Sequence, residues 1–224
     1  MDVEYITISS IISLEHIPHL WAQNDILILI IDMNDYDTVS VDYLDDTEIK
    51  HLEGLQTKYF KKRYTTSRMI LKYILRHLLK ERLVSDIVLY KDENGKVHVR
   101  NHKDIHICIS YTENIATLTI SKVEIGVDVE LMRLRSLTNI SKYLRTTPLD
   151  TDRSMNDLDL LTIWALKEAY CKFSNKSIFS NFSKELDLNS VCHSSYIINN
   201  KYILATITDS DQHTINISRL KKIA

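Results

Sequence analysis

Carboxylates and cations at fixed spacing stand out in two short stretches of the chain. The first is Ile125-Gly126-Val127-Asp128-Val129-Glu130, an apolar ladder with acids at alternate positions. Side chains alternate along a strand, so Gly126, Asp128 and Glu130 share one face. Two carboxylates held there repel one another unless a cation sits between them, and hard oxygen donors suit Mg²⁺. The glycine leaves room on that face for something bulky. Taken alone, an Asp-x-Glu pair reads more simply as a strand end with its acids in water. The second stretch is Trp164-Ala165-Leu166-Lys167-Glu168-Ala169-Tyr170-Cys171-Lys172-Phe173. Trp164, Glu168 and Lys172 are spaced by four and form one stripe along a helix. Alone, that stripe reads as a surface Glu–Lys pair with Trp164 as a core anchor.

The elements that must hold these residues read as mixed α/β. Residues 25–33 (DILILIIDM) are a strand, and 105–130 are further strands with turns near Glu113-Asn114 and Lys122. Residues 86–101 read as a hairpin turning at Glu93-Asn94-Gly95-Lys96, where Gly95 supplies the positive φ such turns need. Residues 158–174 read as a helix with Asn156 or Asp157 as N-cap. The chain closes with strands, the first pair turning at Asn199-Asn200. Residues 58–82 read as an amphipathic helix, with Phe60, Tyr64, Leu71, Ile74, Leu75, Leu78 and Leu79 recurring at three- and four-residue spacing.

Charge divides along the chain. Residues 32–53 hold eight acids and one lysine, whereas 58–82 hold nine Lys or Arg and one acid. From charge alone the basic helix reads as a solvated face; an independently implied anionic ligand would turn Lys61, Lys62, Arg63 and Arg68 into its binding groups.

Composition narrows the classes. The 224 residues are 44% apolar and 26% charged, with a net charge of −2, which suits an ordinary globular chain and no nucleic-acid partner. The apolar run 26–31 falls far short of the ~20 residues of a membrane span. Acidic residues stand where a signal peptide would have basic ones. The odd set Cys108, Cys171 and Cys192 lacks CxxC spacing and suits free thiols in a reducing compartment, so a cytoplasmic location is expected. Only three glycines occur, so there is neither GxxxxGK[ST] nor GxGxxG to cradle phosphate with backbone. No HExxH or GxSxG is present either. Phosphate handled by this chain must meet side-chain cations and a metal.

Together the two stretches are more specific than either alone. Ile-Gly-Val-Asp-Val-Glu followed by Trp-Ala-Leu-Lys-Glu-Ala-Tyr-Cys-Lys resembles the signature of the 4′-phosphopantetheinyl transferases, (I/V)G(I/V)D-x-E and then (W/F)-x-x-K-E-(S/A)-x-x-K. Every fixed position is met, in order. The chain's length resembles the longer, monomeric surfactin-synthetase type rather than the short members that trimerise. That resemblance implies an α+β pseudo-dimer of two similar α/β halves, here 1–108 and 109–224, with coenzyme A in the cleft between them. It implies a Mg²⁺ site (Mn²⁺ as a substitute) of Asp128, Glu130 and Glu168, with Glu168 and Lys172 as catalytic residues. It places coenzyme A against Arg63, Arg68, Gly95, Lys96, Ser110, Tyr111, Asp128, Lys167 and Lys172, with Arg68 on the 3′-phosphate and Gly95-Lys96 beside the adenine.

The activity so implied transfers 4′-phosphopantetheine from coenzyme A to a serine of an apo acyl- or peptidyl-carrier protein, releasing 3′,5′-ADP. Carrier proteins of this kind are typically acidic around the serine, so the basic helix has two prospective clients, nucleotide and protein. The metal carboxylates, read as cleft groups that repel one another, are expected to contribute little to folding. Two departures stand out. Tyr111 replaces the family histidine, which motivates the alternative of a catalytically silent homologue that binds coenzyme A or carrier proteins. Asn175-Lys176-Ser177-Ile178 replaces a glycine-containing G-K-G-L, and asparagine tolerates the left-handed conformation needed there. A third reading is an unrelated α/β protein in which the two motifs coincide by chance.

Overall fold

A computed structural model of the chain describes residues 3–37, 40–132, 156–177, 188 and 190–223. It is mixed α+β. The first sheet has seven strands in the order β2 (Ile11–Ile12), β11 (Ile215–Leu220), β3 (Ile26–Asp32), β7 (Ile115–Ser121), β6 (His106–Thr112), β5 (Val97–Val99) and β4 (Leu89–Lys91). The second has four, in the order β1 (Glu4–Ile6), β9 (Cys192–Ile198), β10 (Tyr202–Thr208) and β8 (Gly126–Leu131). Both sheets are mixed: β11 runs parallel to β3 and β2, and β1 parallel to β9, while the remaining pairs are antiparallel.

The unbroken apolar run of β3 has a plain cause. Leu27, Leu29 and Ile31 face α3 (Lys58–Leu79), packing with Ile70, Leu71, Ile74 and Leu75. Ile26, Ile28 and Ile30 face the opposite way and pack with Val127 and Val129 of β8. The second sheet is likewise covered twice. Ile203, Ala205 and Ile207 of β10 meet α4 (Asp157–Phe173), while Leu204 joins the layer between the sheets. The described residues therefore stack as helix, sheet, sheet, helix. Strands buried on both faces lose the in–out alternation that marks a half-exposed sheet.

β8 is the edge of its own sheet, yet its outer backbone groups are not left open. Alternate side chains of β6 reach across to them: Val127 N–H to Cys108 Sγ at 3.2 Å, Val129 N–H to Ser110 Oγ at 3.2 Å and Leu131 N–H to Thr112 Oγ1 at 3.0 Å. Buried backbone donors need partners, and three small polar side chains in a row supply them. The expected division at 108/109 runs through the middle of β6, and β1 of the first segment lies in the second sheet while β7 and β11 of the other lie in the first.

Local signals explain the ends. Asn156 accepts from Asp159 N–H at 2.9 Å in a capping box that starts α4. The β9–β10 turn uses Asn199 and Asn200 at φ 52° and 53°, and the β4–β5 turn uses Gly95 at φ 89°. The acidic segment contains a helix that its charge does not announce, α2 (Asp46–Gly54), whose capping box pairs Asp45 with Glu48. Phe60, expected on the apolar stripe of α3, is 49% exposed; the buried side of that helix begins at Thr65. The three cysteines are free thiols. Among the described residues, no helix is long and apolar enough to cross a membrane.

Candidate active site

The two motifs meet along their length. A Cβ built on Gly126 would lie 1.9 Å from Ala169 O and 2.7 Å from Phe173 N. The bulky neighbour that this glycine admits is therefore the backbone of α4. One step along the same face, Asp128 meets Lys172 at 2.7 Å; one step further, Glu130 accepts from Trp164 Nε1 at 2.8 Å. The match is geometric. Two strand residues advance ~6.6 Å and four helical residues ~6 Å, so positions 126, 128, 130 and 172, 168, 164 keep step across the interface.

Asp128 is the centre of the group. It is 2% exposed, so it is a built-in buried carboxylate and not the loosely held cleft acid expected from sequence. Its Oδ1 accepts from Ser110 Oγ at 2.6 Å and from Lys172 Nζ at 2.7 Å, and Lys172 also donates to Val127 O at 3.1 Å. Asp128 Oδ2 is buried with no protein donor while its neighbours are ionised. Glu168 lies against it. Burial, then repulsion from Asp128 and Glu130, pushes the Glu168 carboxyl up to about 8, so near neutral pH its proton can serve Asp128. Burial works against the Lys172 ammonium, but the Asp128, Cys108 and Glu168 charges outweigh it and raise its pKa.

Beside this group opens a cleft of about 440 Å³ between α3, β6, the β4–β5 turn and the C-terminal end of α4. Arg68, Lys91, Lys96, Lys172 and Lys176 line it, and none of its lining residues is acidic. Such a concave concentration of cations is an anion site in electrostatic terms. Arg68 is 3% exposed and held at its root by Glu48, whose Oε1 is 3.7 Å away, while Lys72 takes Oε2 at 2.6 Å. Arg68 keeps one buried guanidinium nitrogen, Nη1, without a protein acceptor. Burial and the nearby Arg68 charge lower the Lys91 pKa. Lys96 pairs with Glu124, which also holds His106 at 3.1 Å.

The expected coenzyme A residues thus divide. Arg68, Gly95, Lys96, Tyr111 and Lys172 line the one cleft. Ser110 and Asp128 sit behind it, tied to each other. Arg63 stacks between the Tyr59 and Tyr111 rings at 4.9 and 4.4 Å and does not line the cleft, and neither does Lys167, which is 6% exposed within α4. The Tyr111 hydroxyl is engaged by Ser67 Oγ at 2.6 Å, and burial raises its pKa. Lys91, Lys176, Tyr64 and Glu48 are not among the site residues that the sequence singles out. The capping pattern Asp45-x-x-Glu48 is the one sequence signal that could have found the last of them.

The Asn175 substitution behaves as its chemistry suggests. Asn175 adopts φ 50°, and Lys176 N–H returns to Cys171 O at 2.9 Å, closing α4 with a Schellman turn.

Among the described residues, no three Asp, Glu, His or Cys side chains are gathered closely enough to hold a metal ion as they stand. The donor chemistry nonetheless fits a hard divalent cation: Glu168 bears on both Asp128 and Glu130, and the buried Asp128 Oδ2 meets no fixed donor. No known family model matches this chain, and no curated protein matches it.

Proposed function

We propose that this chain is a 4′-phosphopantetheinyl transferase that moves phosphopantetheine from coenzyme A to the serine of an apo carrier protein, acyl or peptidyl, in the cytoplasm. One observation carries the reading: the Asp128–Glu168–Lys172 group abuts a cleft lined by five cations and no acid. A carboxylate group beside an anion pocket is what transfer from a pyrophosphate to a hydroxyl requires.

Coenzyme A's nucleotide phosphates enter the cleft. Arg68, with its buried Nη1 still short of an acceptor, takes the 3′-phosphate. Lys172 takes the pyrophosphate, and the Gly95-Lys96 turn borders the adenine. Asp128, Glu130 and Glu168 would hold Mg²⁺ or Mn²⁺, which supplies positive charge to the pyrophosphate oxygens. The carrier serine oxygen attacks the phosphorus bearing pantetheine, the bond to the second phosphate breaks, and 3′,5′-ADP leaves. Glu168 accepts the serine proton. Pushed up to about 8, the carboxyl holds a proton near neutral pH; neutralising the neighbouring carboxylate charge lowers it and frees Glu168 to act as the base. Lys172 neutralises the leaving phosphate. Ser110 holds Asp128 in register, and Trp164 holds Glu130.

Thermal unfolding tests the binding half of this reading. Coenzyme A plus Mg²⁺ should raise the midpoint in proportion to the logarithm of ligand concentration, and coenzyme A should do so more than pantetheine, which carries no phosphate. An unchanged midpoint at millimolar coenzyme A would overturn it.

A further inference from the structure

The cleft has two walls that are distant in sequence, the β4–β5 turn (Asn94, Gly95, Lys96) and the end of α4 (Lys172, Asn175, Lys176). A side-chain pair joins them. Asn175 Nδ2 donates to Asp92 Oδ2 at 2.8 Å, across 83 residues of chain. Asp92 also shapes its own turn: Oδ1 accepts from Asn94 N–H at 3.0 Å and Lys96 N–H at 2.9 Å, and Oδ2 takes His98 Nε2 at 3.0 Å. Burial would raise the Asp92 pKa, but these four hydrogen bonds hold it at about 2, so the carboxylate is ionised at every working pH.

Residue 175 has two duties that few side chains combine. It must accept φ 50° to close the helix, which glycine and asparagine do at least cost, and it must offer a donor to the opposite wall. Glycine would meet the first duty and leave Asp92 Oδ2 short of a partner.

We propose that Asp92 and Asn175 form a clasp that sets the spacing between the two cationic walls, so that both are positioning residues for the anion held there. With the clasp intact, Lys96 on one wall and Lys172 and Lys176 on the other are held at a separation fixed before the ligand arrives. Affinity then gains because the ligand need not order the walls. The inference rests on the reading of the cleft as the coenzyme A site.

The test uses the full chain and coenzyme A, with binding measured by calorimetry and turnover on an apo carrier protein. Asn175→Gly preserves the left-handed cap and removes the amide that both bridges to Asp92 and lines the cleft. It should raise the Kd and KM for coenzyme A about tenfold, with kcat changed less than about threefold and the helix content unaltered. Asp92→Asn, with its one remaining carbonyl oxygen kept by the Asn94 and Lys96 N–H groups, turns an amide NH₂ toward that of Asn175 and should do the same. The exchanged pair, Asp92→Asn with Asn175→Asp, restores a donor facing an acceptor. Because it also sets a carboxylate on the cleft wall, the rescue is read as coenzyme A binding at least about threefold tighter than in Asn175→Asp alone, where two carboxylates face each other. A merely structural contact would move the melting temperature without this split or this rescue. If wild type binds coenzyme A and Asn175→Gly binds it equally well, the clasp inference is wrong. If wild type does not bind coenzyme A, the assignment of the cleft fails instead.

Discussion

Replacing Glu168 by glutamine should make the protein more stable at high pH, by an amount that grows with pH. The carboxyl is pushed from 4.5 to about 8 by burial and by the Asp128 and Glu130 charges. The folded state therefore retains a proton that the unfolded chain releases between these values. That linkage stabilises fully below pH 4.5 and is lost as pH rises through 8. At ~1.4 kcal/mol for each pH unit separating the two values, the ceiling is ~5 kcal/mol. Glu168 keeps partial contact with solvent, and relaxation around an ionised carboxylate recovers part of the penalty, so about 2–4 kcal/mol is expected. Glutamine cannot ionise and escapes the penalty altogether. Urea unfolding at pH 5, 7 and 9 reads the effect directly, since a common slope lets the midpoints be compared. The gap between wild type and Glu168→Gln should be small at pH 5, widen up to about pH 8 and level off by pH 9, where Mg²⁺ should narrow it by stabilising wild type selectively. A gap independent of pH, or one favouring wild type at pH 9, would mean that burial and the Asp128 and Glu130 charges do not raise the Glu168 carboxyl.

Two further outcomes probe the packing and the cleft. Gly126→Ala places a methyl against Ala169 O, Ala169 C and Phe173 N, all backbone atoms, so α4 must retreat by about 1.5 Å to restore ordinary contact. A loss of ~1–3 kcal/mol in urea unfolding and a collapse of turnover are expected; wild-type values for both would contradict the strand–helix register. Arg68→Ala should raise the KM for coenzyme A about ten- to hundredfold and that for dephospho-coenzyme A far less, since only the former carries the 3′-phosphate. It should also lower the melting temperature, because Arg68 is buried against Glu48. Equal KM effects on the two substrates would mean that Arg68 does not read that phosphate.

Legibility in the sequence followed the range of the forces. Local rules were readable: the run 58–82 as a helix, which ends three residues earlier at Leu79, an N-cap of α4 at Asn156 or Asp157, which is Asn156, and Gly95 and the Asn199-Asn200 pair as turns. Gly126 announced a close approach, and its partner was the α4 backbone, which no composition could name. Phe60 satisfied the helical period but lies in the first turn of α3, before the buried side of that helix begins, so periodicity overstated its burial. Long-range choices were hidden. That β1 pairs with β9 in the second sheet, and that Cys108, Ser110 and Thr112 cover the edge of β8, depends on contacts between segments far apart in sequence. Lys91 joins Arg68 at the cleft for the same reason: strand pairing carried it there, and an isolated lysine in a short hairpin has no local mark.

Everything proposed for the cleft depends on transfer itself, and intact mass reports transfer. The pure protein is incubated with coenzyme A, Mg²⁺ and apo acyl- and peptidyl-carrier proteins, with parallel samples in chelator. The carrier serine should gain about 340 Da, a gain that requires divalent metal and is lost in Asp128→Ala. Carrier of unchanged mass, in reactions where coenzyme A is shown to bind, would contradict the proposed activity.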